Sequence, residues 1–176
     1  MYKRQVLIVC GGSDPTKLSL RCANAVSDFQ GPITIVAGPM FGAEMIENLQ
    51  AWAATDPKRS IVVNPNYMAE LIASHSIVIG RPGLIRYEAA AMGRHSILLS
   101  ETNGYVEYFK AFDANNIAEV YFSKHKPNSV DFFNRLNEIS IAPNSSYVFW
   151  PNKLALSRVP LGGAKRLIDI LFSNKI

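Results

Sequence analysis

Residues 5–15 read QVLIVCGGSDP, an apolar run that stops at two glycines and a helix-capping pair. A short run rich in branched apolar side chains predicts a buried strand, and the glycines predict its end. Ser13 or Asp14 can cap a helix whose first turn holds Pro15, where a missing N–H has no cost. The segment therefore predicts a strand, a tight turn and a helix.

The same alternation recurs along the rest of the chain. We predict further strands at 33–37, 60–63, 76–79, 96–100 and 118–122, and helices at 41–54, 67–74, 84–93, 105–114, 130–139 and 163–172. Gly93 is expected to end its helix in the left-handed conformation. Apolar strands that are each followed by a helix are typical of a parallel sheet covered on both faces. Because no linker or repeat interrupts this order, we expect residues 1–176 to form a single α/β domain, a Rossmann-like open parallel sheet with helices on both faces.

Composition and charge exclude several classes of protein. The 176 residues are 48% apolar and 18% charged, an ordinary globular balance. No apolar run approaches the ~20 residues of a membrane span, so any membrane association is expected to be peripheral. The net charge of +4 comes from scattered Lys and Arg, which argues against nucleic-acid binding.

Cysteine and histidine usage indicate the compartment and the absence of a metal centre. Cys10 and Cys22 make no disulfide framework and are expected to be buried thiols of a cytoplasmic protein. The apolar run that follows Lys3 and Arg4 is too short for a signal peptide. The three histidines lack metal-ligand spacing and fit no Ser/His/Asp or Cys/His set, so neither a metal site nor a catalytic residue is assigned. Each histidine is expected at the surface or in a turn.

Two glycine-containing turns are candidates for ligand binding, because ligands bind beyond the carboxyl ends of strands in open parallel sheets. The first turn holds residues 11–14, where glycines let the backbone approach a phosphate and the next helix supplies free N–H groups. The second holds Arg81, Pro82 and Gly83, with Glu88 inside the next helix, where its carboxylate can accept hydrogen bonds from a ribose. Neither is a G-x-G-x-x-G or Walker motif. Each turn can equally be purely structural, with Glu88 exposed to solvent.

The two segments together, GGSDP at 11–15 and RPG with Glu88 at 81–88, resemble the paired signatures of the C-terminal domains of GT-B glycosyltransferases. The resemblance covers roughly residues 5–122. It is closest to the nucleotide-sugar hydrolase of pseudaminic acid biosynthesis and its relatives in spore-coat polysaccharide synthesis. The peptidoglycan N-acetylglucosaminyltransferases are more distantly similar.

The resemblance implies a UDP-sugar donor as ligand and no other cofactor. It implies that Gly11, Gly12 and Ser13 face the diphosphate, that residues 66–68 meet the uracil and that Glu88 holds the ribose. Asn103 and Gly104 stand where the family commonly has an Asn-Gln pair that contacts the sugar. The ligand-binding residues implied in this way are Gly11, Gly12, Ser13, Asp14, Asn66, Tyr67, Met68, Arg81, Pro82, Gly83, Glu88, Asn103 and Gly104.

The sequence also departs from the family pattern. Gly104 replaces the glutamine, and Arg86 stands where relatives carry a small hydroxyl residue, so that it either contacts a phosphate or lies at the surface. The family's N-terminal half, which binds the acceptor or supplies the catalytic base, is absent from this sequence. We therefore expect the donor half of a split or truncated GT-B enzyme of surface-polysaccharide or glycan biosynthesis, completed by a protein partner or an N-terminal domain. Two alternatives stay open: a degenerate, non-catalytic interaction subunit, and a fragment of a nucleotide-sugar hydrolase.

Overall fold

The computed structural model describes residues 5–101, 118–123 and 129–141, together with Gly162. Strands alternate with helices throughout the first of these ranges. The described elements are β1 (Val6–Val9), α1 (Leu18–Ala25), β2 (Ile33–Ala37), α2 (Ala43–Ala53), β3 (Arg59–Val63), α3 (Met68–Ser74), β4 (Ile77–Gly80), α4 (Ile85–Ala91), β5 (His95–Ser100), β6 (Glu119–Phe122) and α5 (Ser129–Ile141).

The described strands form one parallel sheet in the order β3-β2-β1-β4-β5-β6. The chain runs outward from β1 to β3 and then crosses back to β4 on the other side of β1. Val9 at the end of β1 is paired with Val36 on one side and with Gly80 on the other. The strand order reverses between β1 and β4, which is where doubly wound sheets open a crevice for ligands. The predicted Rossmann-like parallel sheet is confirmed.

Helices cover both faces of the sheet, as predicted. Alternate side chains of β1 point to opposite sides, so Ile8 packs with the side chains of α1, α2 and α5, and Leu7 packs with those of α3 and α4. Both residues have no exposed surface. Burial of branched apolar side chains on both faces of the central strands is the main stabilising contribution, at about 1.5–3 kcal/mol for each large side chain.

The described strands agree with the sequence-based bounds to within one residue at each end. Gly93 has the expected left-handed φ of 66° and ends α4. Its N–H donates to the Ala90 carbonyl at 2.9 Å, and the Arg94 N–H donates to the Ala89 carbonyl at 2.8 Å, which is the Schellman pattern. The helices predicted at 105–114 and 163–172 lie outside the described residues, so one domain over 1–176 stays a prediction.

The start of α1 differs from the prediction. The sequence predicts a helix that holds Pro15 in its first turn, but the helix begins at Leu18. Pro15 and Thr16 instead form a turn that is closed by the Lys17 N–H on the Asp14 carbonyl at 3.1 Å. Lys17 then has a left-handed φ of 53°. Proline sets the φ that the second position of such a turn needs, so the same residue fits both structures.

An ion-pair cluster lies at the amino ends of β5 and β6. The Glu119 carboxylate contacts His95 Nε2 at 2.6 Å and accepts hydrogen bonds from Arg135 Nε at 3.0 Å and Nη2 at 3.1 Å. Burial would by itself raise the pKa of Glu119, but hydrogen bonds and charges from His95 and Arg135 outweigh it and lower the pKa to about 2. The cluster joins α5 to the last described strand.

Because the pKa of Glu119 is lowered on folding from about 4.5, its stabilising contribution is complete above pH 4.5 and is lost as the pH falls toward about 2. We expect Glu119→Gln to destabilise the protein by about 2 kcal/mol at pH 7 and to lose less stability than the wild type between pH 5 and pH 3, as measured by urea denaturation. Glu138→Gln is the control, since Glu138 pairs with the same Arg135 but is 59% exposed. An equal acid-induced loss in the wild type and Glu119→Gln would contradict the assignment.

Candidate functional site

The sequence-predicted site residues that the structure describes lie along the carboxyl edge of the sheet. Residues 11–14 follow β1, and residues 81–83 follow β4. Residues 66–68 lie where β3 leads into α3, and Glu88 is in the first turn of α4. Parallel topology brings these loops to one edge, which includes the point between β1 and β4 where the strand order reverses. Asn103 and Gly104 lie outside the described residues.

The loop formed by Gly11, Gly12 and Ser13, termed the 11–13 loop, presents its backbone to the surface. Gly11 has a φ of 94°, which disfavours any side chain. Gly11 and Ser13 are exposed, and among the described residues none of the three N–H groups has an acceptor. The Gly12 carbonyl accepts the Met40 N–H at 2.9 Å, which ties the loop to the β2–α2 connection. The loop therefore offers consecutive unpaired donors, the chemistry that binds an anion.

Asp14 is the cap of α1, and Ser13 is not. The Asp14 side chain is 1% exposed and accepts hydrogen bonds from the Leu18 N–H at 2.9 Å and the Ser19 N–H at 2.7 Å. The Ser19 hydroxyl donates to the same carboxylate at 2.5 Å. A carboxylate thus already occupies the positive end of α1. Contrary to expectation, the Leu18 and Ser19 N–H groups at the start of α1 are not free for a phosphate, because Asp14 accepts both.

Arg81 connects the loops that follow β1 and β5. Its Nη2 lies 3.3 Å from Asp14 Oδ1, and it donates to Glu101 Oε2 from Nε at 3.1 Å and from Nη2 at 2.6 Å. Nη2 also donates to the Thr16 hydroxyl, which in turn donates to Glu101 Oε2 at 2.6 Å. Arg21 Nη1 donates to the other oxygen, Glu101 Oε1, at 3.0 Å. These five side chains, termed the Arg81 network, link three neighbouring loops.

The residues around α4 differ in exposure. Arg86 is buried, contrary to its possible surface position, and it donates to the Gly83 carbonyl while its guanidinium lies 4.5 Å from the centre of the Tyr87 ring. Glu88 is exposed, and within the described residues its carboxylate has no partner. Pro82 is half-buried and Gly83 is exposed. Glu88 is thus the carboxylate of this helix that a ligand can reach.

The β3–α3 connection is open to solvent. Asn66 is exposed and Tyr67 is 44% exposed, whereas Met68 packs against the core beneath α3 and α4. Asn64, with a left-handed φ of 47°, turns the chain after β3, and its N–H donates to the Ala37 carbonyl at 2.8 Å. Two of the three residues assigned to the uracil are therefore accessible, and the third holds the segment on the sheet.

A cavity of about 240 Å³ opens on the α1–α2 side of the 11–13 loop. Most of its surface is apolar, and it is lined by residues from both the β1–α1 and the β2–α2 connections. Its lining consists of Ser13, Asp14, Pro15, Met40, Phe41, Gly42 and Met45. Of the residues at this cavity, the sequence assigns only Ser13 and Asp14 to the site.

His75 is buried, although the sequence predicts a surface or turn position. Nδ1 lies 2.6 Å from the Leu71 carbonyl and Nε2 lies 3.0 Å from the Thr34 hydroxyl, so both ring nitrogens are used. Burial lowers the pKa of His75. Its role is to join the end of α3 to β2. No group of three metal-ligating side chains occurs in the part of the chain that the structure describes.

Sequence reasoning missed Glu101, Thr16 and Gly38. Glu101 directly follows β5 and so belongs to the same edge as the two predicted turns, a signal that the strand pattern contains. Thr16 lies in the turn before α1 and gives no such signal. Gly38 is buried against the 11–13 loop, where an added Cβ would lie 2.4 Å from the Gly11 carbonyl oxygen.

Several solved structures share this fold, including MurG, a UDP-GlcNAc 2-epimerase and TarM. MurG of Acinetobacter baumannii is 19% identical with a TM-score of 0.68, and the alignment covers 97% of this chain and 50% of MurG. UDP-GlcNAc 2-epimerase of Neisseria meningitidis, solved with UDP-GlcNAc bound, is 16% identical with a TM-score of 0.61 over 98% of this chain and 45% of the enzyme. A TarM variant of S. aureus, in complex with UDP, is 13% identical with a TM-score of 0.56 over 90% of this chain and 31% of TarM.

Sequence comparison adds one relative of unknown activity. An uncharacterized protein of Methanocaldococcus jannaschii is 30% identical in a 129-residue alignment that covers 68% of this chain and 27% of that protein. No family model matches the chain. The helices of the described residues are too short or too polar to cross a membrane. The chain thus spans half or less of each of these four proteins, and its Rossmann-like parallel fold is the one shared with GT-B glycosyltransferase-type structures.

Proposed function

We propose that this chain is the UDP-sugar-binding domain of a GT-B glycosyltransferase-like enzyme in surface-polysaccharide or glycan biosynthesis. The observation that carries the proposal is the exposed 11–13 loop, whose unpaired N–H groups follow β1 at the carboxyl edge of the sheet, next to the point between β1 and β4 where the strand order reverses. A loop of this kind at this position suits a diphosphate. The fold shared with a UDP-GlcNAc-bound epimerase and a UDP-bound TarM supports the same ligand class.

In this proposal the nucleotide lies along the carboxyl edge of the sheet. The N–H groups of the 11–13 loop bind the diphosphate, Glu88 accepts hydrogen bonds from the ribose hydroxyls, and residues 66–68 contact the uracil. Asn103 contacts the sugar, and Gly104 contributes no side chain there. The catalytic contribution of the domain is to position the donor and to stabilise the diphosphate leaving group through fixed backbone donors.

A second domain or subunit supplies the acceptor site in this proposal. The chain matches 31–50% of MurG, the epimerase and TarM, which leaves room for another half in each of them.

We place the chain in the cytoplasm, where its buried cysteines, which form no disulfide, would stay reduced. If the second half belongs to a nucleotide-sugar hydrolase, activity will appear only when that half is joined to this chain.

Calorimetric titration of the 176-residue chain with UDP tests the donor site directly. We expect a dissociation constant between about 1 µM and 1 mM, and a loss of about tenfold in affinity in Glu88→Ala, because the ribose hydroxyls lose a charged acceptor. Glu47→Ala is the control, since Glu47 is exposed on α2 and has no partner among the described residues. A folded wild-type chain that does not bind UDP would contradict an autonomous donor site and favour a degenerate interaction subunit.

A further inference from the structure

Glu101 lies where the loops that follow three neighbouring strands meet. It comes directly after β5, and its carboxylate reaches the β4–α4 loop through Arg81 and the β1–α1 loop through Thr16. We infer that Glu101 is a positioning residue of the nucleotide site, which holds Arg81 on Asp14 and so fixes the 11–13 loop. The inference deepens the proposed function and rests on it. It also assigns Arg81 a structural role beside the diphosphate instead of direct contact with it.

The geometry of Arg81 supports this assignment. Nε and Nη2 both donate to Glu101, and Nη2 also contacts Asp14 and Thr16. Only Nη1 has no partner among the described residues. Bidentate binding of a phosphate needs two N–H groups on one edge of the guanidinium. Both edges of this kind include Nη2, so Arg81 would have to give up either Glu101 or its contacts with Asp14 and Thr16 before it could bind a diphosphate in this way.

The Arg81 network is also shielded and balanced in charge. Glu101 is 18% exposed, Arg81 is 23% exposed and Asp14 is 1% exposed, so their ion pairs are less screened than those at an open surface. Two carboxylates, Asp14 and Glu101, face two guanidinium groups, Arg81 and Arg21. The network therefore presents no excess positive charge to a ligand. Recognition of the diphosphate falls to the unpaired N–H groups of the 11–13 loop.

The network also explains how the loop is held. Asp14 directly follows the 11–13 loop, and its carboxylate is held from one side by α1 and from the other by Arg81. If Glu101 loses its charge, Arg81 is free to rotate away from Asp14. The loop then loses its attachment to the β4–α4 loop, and its N–H groups are no longer held in place.

The direction in which UDP affinity changes in Glu101→Gln distinguishes a positioning role of Arg81 from direct binding of the diphosphate. A positioning role predicts that the affinity for UDP falls about tenfold in Glu101→Gln and in Arg81→Gln. It also predicts that the double variant binds UDP as well as whichever single variant has the lower affinity. If Arg81 bound the diphosphate directly, releasing it from Glu101 would raise UDP affinity, and that increase would overturn the inference. Glu47→Gln, an exposed carboxylate on α2, is the matched control.

A second measurement uses the protein without ligand, so that it decides the inference even if the wild type does not bind UDP. We expect the backbone amide NMR signals of Gly11, Gly12 and Ser13 to shift and broaden in Glu101→Gln and to stay unchanged in Glu47→Gln. Thr16→Val removes the two exposed hydrogen bonds that the Thr16 hydroxyl makes with Glu101 and Arg81, leaves all charges in place and should move the same signals by less. Unchanged loop signals in Glu101→Gln would overturn the positioning role, whereas absent UDP binding with shifted signals would overturn only the proposed function.

Discussion

Gly80→Ala is expected to destabilise the protein by at least about 3 kcal/mol. Gly80 ends β4 with a φ of 151°, and a Cβ on it would lie 1.9 Å from the Val9 carbonyl oxygen and 2.6 Å from the Val9 carbonyl carbon. Val9 belongs to β1, which is paired on both sides and cannot move away without breaking a ladder. The same carbonyl accepts the Arg81 N–H at 3.3 Å. The clash and the backbone strain therefore act together.

Urea denaturation followed by circular dichroism measures this effect. Gly83→Ala is the matched control, because it lies in the loop after β4 and an added Cβ meets nothing within 4 Å. We expect Gly83→Ala to change the free energy of unfolding by less than about 0.5 kcal/mol. If Gly80→Ala were as stable as Gly83→Ala, the assigned close contact between Gly80 of β4 and Val9 of β1 would be wrong.

Most of the fold could be predicted because its signals are local. The run 5–10 is apolar on both faces, which a central strand of a parallel sheet requires, and two glycines mark its end. Gly93 closes α4 as predicted, because a left-handed C-cap depends only on its own helix. The need for glycine at position 80 could not be predicted from the sequence, since it arises from contact with Val9, a residue far away in the chain.

The candidate site was predictable in its location but not in its contacts. Strand and helix patterns place both glycine turns at one edge of a parallel sheet, whatever the order of the strands. The partner of Arg81 depends on that order, because Glu101 reaches it only when β5 lies beside β4. The sequence offers both Ser13 and Asp14 as caps of α1, and the choice between them depends on where the helix begins, since Pro15 is compatible with either start.

The second large effect is expected from Gly38→Ala, which acts on the 11–13 loop from the β2 side. A Cβ on Gly38 would lie 2.4 Å from the Gly11 carbonyl oxygen and 2.6 Å from both Cα and the carbonyl oxygen of Gly12. Gly38 does not have a left-handed φ, so alanine brings no backbone strain and slightly restricts the unfolded chain. The whole cost therefore comes from the clash, and the exposed loop is the part that can yield. We expect a loss of about 2 kcal/mol in stability and a loss of at least about tenfold in UDP affinity.

Gly42→Ala separates these two effects from the general consequences of adding a methyl group. It lies at the other end of the same connection, and an added Cβ meets nothing within 4 Å. Calorimetric titration with UDP and urea denaturation of both variants should show Gly42→Ala close to the wild type. A Gly38→Ala variant that is destabilised but binds UDP normally would show that the loop's position does not matter for the nucleotide. Because the three atoms nearest to the added Cβ all belong to the backbone of Gly11 and Gly12, a loss of binding would be attributable to the 11–13 loop.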